Sequence, residues 1–97
     1  MGLLEGRVAI ISGIGPGMGR DAALACSKEG ASVVLAARTP SKVESVADEV
    51  RSLGGVALAI PTDVTNLDQI DALIEATLAE FGSIDVLVNN AFSQPPF

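Results

Sequence analysis

The sequence holds no histidine, no tryptophan, no tyrosine and a single cysteine, Cys26. Without histidine, imidazole metal sites and Ser-His-Asp or Cys-His catalysis are excluded within these 97 residues. One cysteine forms neither an internal disulfide nor a cysteine-cluster zinc site, and it fits a reducing compartment. Without tyrosine, no phenolic acid or base is at hand. Lysine is scarce as well, at Lys28 and Lys42 alone. The balance of 6 basic to 12 acidic residues, a net charge of −6, argues against nucleic-acid binding, which needs a basic patch. No apolar run approaches the about 20 residues of a membrane helix. The opening Met1-Gly2-Leu3-Leu4-Glu5-Gly6 lacks the basic and long apolar regions of a secretory signal, and Gly6 breaks the myristoylation pattern. The expected location is cytoplasmic, without membrane or nucleic-acid partners.

What is present is an apolar composition, 48% hydrophobic with 19% charged, in a chain long enough for one small domain. Four continuous apolar runs stand out: 8–11, 33–37, 56–60 and 86–88. Unbroken runs mark strands covered on both faces, as in parallel sheets under helices. Three helical stretches separate them. The first runs from near Gly17 to Gly30, with Met18, Ala22, Ala25 and Cys26 on its expected inner face. In the second, Val43, Val46, Ala47, Val50 and Leu53 repeat at helical spacing; Ser41 with Glu44 suggests a capping box, Pro40 a start and Gly54-Gly55 a stop. The third runs from about Leu67 to Phe81, with Ile70, Leu73, Ile74, Thr77, Leu78 and Phe81 inward, Thr65 and Asp68 as caps and Gly82 as its end. The order β-α-β-α-β-α-β predicts an α/β fold with an open parallel sheet and right-handed crossovers. The chain ends just past the fourth strand, which leaves that strand an apolar edge.

Ser12-Gly13-Ile14-Gly15-Pro16-Gly17-Met18-Gly19 follows the first strand and opens the first helix. Glycines here let the backbone approach a pyrophosphate while the helix N-terminus offers free N–H groups. The spacing is not G-x-G-x-x-G; Gly13, Gly17 and Gly19 fit G-x-x-x-G-x-G, with Gly15 added. With Ser for Thr, this turn resembles the T-G-x-x-x-G-x-G turn of the short-chain dehydrogenases/reductases. Asp63-Val64 at the end of the third strand is similar to that family's adenine-contacting acidic residue, and Asn89-Asn90-Ala91 resembles its N-N-A-G segment. The resemblance covers the whole chain. It implies that residues 1–97 are the N-terminal part of one NAD(P)-binding Rossmann domain, truncated after the fourth strand.

In dinucleotide folds an acidic residue about 20 positions past the glycines binds the ribose 2′-hydroxyl. Here Ala37 occupies that place, followed by Arg38 and Thr39. An arginine pairs with a 2′-phosphate where a carboxylate would repel it, so NADP(H) is the expected cofactor and NAD(H) the alternative. Pro16 stands where some NADP(H) binders of the family carry a second basic residue. The cofactor-binding candidates are Gly13, Gly15, Gly17, Met18, Gly19, Arg38, Thr39, Asp63, Val64, Asn90 and Ala91. Phe92 departs from the family glycine. No metal ligands are expected, and Cys26 reads as a small core residue.

The resemblance implies hydride transfer between NADP(H) and a carbonyl or alcohol substrate, by a tyrosine acid/base beside a lysine in Y-x-x-x-K, in a homo-oligomeric full-length enzyme. With no tyrosine, the chain contains no catalytic residue of that kind and is expected to be inactive alone. The alternative is a non-enzymatic dinucleotide-binding module or an inactive remnant. A sugar-nucleotide epimerase fits the glycine spacing poorly, and a flavodoxin-like domain uses a different phosphate loop.

Overall fold

The computed structural model describes residues 2–12, 18–63 and 65–89. Four strands, β1 (Val8–Ser12), β2 (Ser32–Ala37), β3 (Val56–Pro61) and β4 (Val86–Asn89), alternate with three helices, α1 (Met18–Lys28), α2 (Pro40–Ser52) and α3 (Leu67–Phe81). The strands form one parallel sheet in the order β3-β2-β1-β4. This is the open parallel α/β architecture expected from the unbroken apolar runs, and the Rossmann-type fold that the resemblance implies.

Successive strand residues point to opposite faces, so each strand feeds two cores. On one face Ala9, Ile11, Val33 and Leu35 pack with Ala23 of α1 and Val43, Val46, Ala47 and Val50 of α2. On the other, Val8, Ile10, Val34 and Ala36 pack with Leu73 of α3, bordered by Phe81 and Ile84. No described helix is long and apolar enough to cross a membrane.

Several expectations need correction at the helix faces and ends. In α1, Ala25 is exposed, Ala22 and Cys26 are half-buried, and Ala23 is fully buried. A helix rich in alanine shows little contrast between its faces, which leaves its rotation poorly marked. Leu53 is 74% exposed because α2 has already ended: it is the C-cap, where helical spacing no longer applies. The Ser41–Glu44 box does not start α2; Thr39 is the N-cap and Pro40 the first helical residue, as its fixed φ favours. Nor does Thr65 cap α3. Asn66 does, its side chain accepting from the Gln69 N–H at 3.2 Å. On α3, Leu73 and Thr77 are buried and Ile70 and Phe81 half-buried, whereas Ile74 and Leu78 are 39% and 44% exposed. The buried Thr77 hydroxyl donates to the Leu73 carbonyl at 2.8 Å, which keeps it satisfied. Gly82 ends α3 as expected, in the left-handed region at φ 83°, with its N–H donating to Leu78 O.

At the N-terminal edge of the sheet, Asp85 ties β4 to β1. Its Oδ2 accepts from the Val8 N–H at 2.9 Å and the Ser83 hydroxyl at 3.2 Å, while its own N–H donates to Val8 O at 2.9 Å. Arg7 Nη1 lies 3.5 Å from Oδ1. The Val8 N–H chiefly, with smaller help from Ser83 and Arg7, holds the carboxyl below the ordinary aspartate range against partial desolvation. A depressed folded pKa contributes stability above the unfolded value, near about 3.9, that is lost as pH falls through the folded value. Replacing Asp85 with Ala is therefore expected to lower the thermal midpoint at pH 7. The gap to the native chain should close in acid, as read by circular dichroism melts from pH 7 to 2. A gap that does not depend on pH would contradict this role.

The sheet's two edges differ. At β3, Arg51 Nη2 donates to Ala57 O at 2.8 Å while Nη1 meets Asp48 Oδ1 at 3.3 Å. Among the described residues no side chain bonds the β4 backbone, and Leu87 is 65% exposed on the α3 side. An open apolar edge invites pairing. Sedimentation velocity of the 97-residue chain should show concentration-dependent association that Leu87→Lys weakens. A monodisperse, cooperatively melting monomer would contradict this.

Candidate functional site

The parallel register brings the ends of all four strands to one edge. Ser12 pairs with Ala36 on one side and Asn89 on the other, and Ala37 pairs with Pro61. From β1 the chain crosses by α1 to β2; from β3 it crosses the other face by α3 to β4. The strand order therefore reverses beside β1, and the crevice outside the carboxyl ends of β1 and β4 is where such sheets bind ligands.

The glycine-rich segment 13–17 joins β1 to α1 in sequence. Gly13, Gly15 and Gly17 lie outside the described residues, as do Val64, Asn90, Ala91 and Phe92. The turn's two anchors are described: Ser12, buried at the end of β1, and Met18, the first residue of α1. Gly19 is buried in the first turn of α1. Arg20, the next residue, pairs with α2: its Nε donates to Glu49 Oε1 at 2.9 Å and its Nη2 to Glu49 Oε2. This forked pair depresses the Glu49 carboxyl and raises the guanidinium. It ties the first turn of α1 to α2.

At the end of β2, Arg38 and Thr39 are exposed. Thr39 caps α2 through its backbone only, its hydroxyl making no cap bond, and the first turn of α2 contains no acidic residue. Lys42 lies in that turn. A hydroxyl with no partner among the described residues, a guanidinium and a first helical turn without carboxylates suit an anion. Sequence reasoning did not single out Lys42, because a lone lysine in the first turn of a helix carries no motif.

At the end of β3, the buried Thr62 extends the ladder by donating its N–H to Ala37 O at 2.7 Å and its hydroxyl to Ile60 O at 2.9 Å. Asp63 follows, half-buried. Its Oδ1 accepts from both the Thr65 hydroxyl at 2.6 Å and the Thr65 N–H at 2.9 Å, and its own N–H donates to Gln69 Oε1 at 2.7 Å. The Thr65 hydroxyl, then the Thr65 N–H, then the nearby Arg38 charge hold the carboxyl below the usual range, against desolvation. Sequence reasoning missed Thr65 and Gln69 as partners of Asp63, because a spacing of two and six residues across a loop carries no periodic signal.

Elsewhere, burial raises the Cys26 thiol, which suits a packing residue and not a nucleophile. Among the described residues no group of His, Cys, Asp or Glu is arranged to hold a metal ion. A groove of about 380 Å³ lined by Leu24, Ser27, Lys28, Leu53, Gly54 and Gly55 lies at the opposite, N-terminal edge of the sheet.

Known proteins agree with this arrangement. The sequence profile of the family described as short chain dehydrogenase matches residues 7–95. The 7alpha-hydroxysteroid dehydrogenase of Escherichia coli (strain K12) is 39% identical over 88 residues, which cover 91% of this chain and 34% of that protein. A crystal structure of a metagenomic short-chain oxidoreductase in complex with NADP superposes with a TM-score of 0.87 at 39% identity, over 93% of this chain and 41% of that one. A 7 alpha-hydroxysteroid dehydrogenase complexed with NADH and 7-oxo glycochenodeoxycholic acid superposes at 0.91 and 38% identity, over 96% of this chain and 36% of that one. The chain thus spans 34% of the length of one of these curated relatives and 23% of another, the Hydroxysteroid dehydrogenase-like protein 2 of Bos taurus. Profile, identity and superposition agree on the family and its parallel sheet: this chain belongs to the short-chain dehydrogenase family.

Proposed function

We propose that residues 1–97 are the cofactor-holding part of an oxidoreductase that moves a hydride between NADP(H) and a carbonyl or alcohol substrate. The observation that carries the choice of cofactor is the end of β2: Arg38 and Thr39 beside an α2 first turn free of acidic residues. The donors present fit a 2′-phosphate, and the acceptor on Asp63 fits an adenine amino group. The glycine turn with Met18 and Gly19 would take the pyrophosphate, Asp63 and Val64 the adenine, and Asn90 and Ala91 the ribose and nicotinamide side. A bound nicotinamide would supply the hydride chemistry; this chain's residues bind and orient the other end of the cofactor.

The substrate-side residues belong to whatever accompanies this chain in the longer enzyme, which by family likeness is a cytoplasmic homo-oligomer. With no tyrosine among the 97 residues, the chain alone is expected to turn over no carbonyl substrate with NADPH. NAD(H) is the second reading, because a relative of similar identity was solved with NADH.

Calorimetric titration distinguishes the two cofactors. A charge-assisted arginine–phosphate bond contributes roughly 1.5–3 kcal/mol, about a ten- to hundredfold preference. Arg38→Ala should weaken NADPH binding by that factor and leave NADH unchanged, and Ala37→Asp should reverse the preference. Equal effects on both cofactors would overturn the NADP(H) assignment. Asp63→Ala, with the melting curve intact, should weaken both alike.

A further inference from the structure

We infer that Thr65 and Gln69 are positioning residues that hold Asp63 to select a 6-amino purine over a 6-oxo purine. This rests on the reading of Asp63 as a contact to the nucleotide base. Asp63 has four polar groups, and three of them serve to locate it. Its N–H donates to Gln69 Oε1 at 2.7 Å, its carbonyl accepts from the Asn66 N–H at 3.0 Å, and its Oδ1 accepts both donors of Thr65. Among the described residues no hydrogen bond reaches Oδ2. One carboxylate oxygen is thus fixed from inside the loop while the other stays available at the ligand edge of the sheet.

A glutamine three residues past the N-cap can accept from the N-cap N–H; here the Asn66 N–H donates to Asp63 O instead, and the Gln69 side chain reaches Asp63. The loop is anchored upstream by the Thr62 N–H on Ala37 O, so Asp63 keeps its place relative to Arg38 on the neighbouring strand end. An ionised carboxylate only accepts hydrogen bonds. It pairs with an amino group at position 6 of a purine and opposes a carbonyl oxygen there. A site that hydrogen-bonds a donor discriminates strongly against the analogue lacking it, because its polar group is left without a partner. Discrimination then depends on how firmly the carboxylate is held, which is the work of Thr65 and Gln69.

The test titrates the 97-residue chain with NADPH and with its hypoxanthine analogue, in the native form and as Thr65→Val, Thr65→Ser and Gln69→Leu, each checked by a melting curve. The native chain should prefer NADPH by about tenfold or more. Thr65→Val and Gln69→Leu should bring that ratio toward one, Thr65→Ser should restore it, and the NADPH-to-NADH ratio should not move in any of them. A native preference left intact by both Thr65→Val and Gln69→Leu would overturn the inference, as would equal native binding of the two purines. Absence of binding by either cofactor would instead overturn the dinucleotide reading, and this inference with it.

Discussion

Strand β1 is the constraint from which the rest follows. It lies between β2 and β4, buried along its whole length, and its parallel pairing on both sides brings Ser12 level with Ala36 and Asn89. A slip of one residue would exchange the two cores, since Ala9 and Ile11 serve one face and Val8 and Ile10 the other. The same register sets where the glycine turn leaves the sheet, where Arg38 follows β2 and where Asp63 follows β3. Asp85 at the far end holds β4 to β1 and so holds the position of Asn89.

A chain of net charge −6 is an unlikely-looking host for an anion, yet charge at this edge is local. Screening limits exposed charges to about 8–10 Å at physiological salt. At the end of β2 lie Arg38 and the start of α2, whose first turn has no acidic residue; further along α2, Glu49 is paired with Arg20. The arrangement separates two roles for arginine: Arg20 braces two helices, and Arg38 stays exposed at the end of β2, where we propose a phosphate. The acidic Asp63 lies on the next strand end, with its charge held by Thr65. Opposite charges at neighbouring strand ends suit a ligand whose own two ends differ in kind, a phosphate and an amino-bearing base.

Much of the fold was legible because its signals are redundant. Each apolar run became a strand within a residue or two, and α3 kept its expected bounds because an amphipathic pattern and Gly82 agree. Helix starts were less legible. Thr39, Ser41, Thr65 and Asn66 are all good capping types, and which of them caps depends on backbone geometry that composition does not encode. The face of α1 was obscured by its alanines, which place Ala23 and Ala25 on equal terms although one is buried and the other exposed. At the site, Arg38 was singled out by its distance past the glycines and Asp63 by the family resemblance, and both follow strand ends. The loop that fixes Asp63 was not, because Gln69 reaches back from another element. Gly13, Gly15, Gly17, Val64, Asn90 and Ala91 lie outside the described residues and rest on the sequence alone.

The central claim is that the carboxyl edge of the sheet binds the adenosine end of a phosphorylated dinucleotide. The most direct measurement is a titration of the isotope-labelled chain with adenosine 2′,5′-bisphosphate, following backbone amide shifts. Perturbations gathered at Ser12, Gly19, Arg38, Thr39 and Asp63, with Val8, Lys28, Gly55 and Asp85 unmoved, are the expected result. Shifts centred on the opposite edge, around Lys28 and Gly55, or no saturable shifts at all, would contradict it.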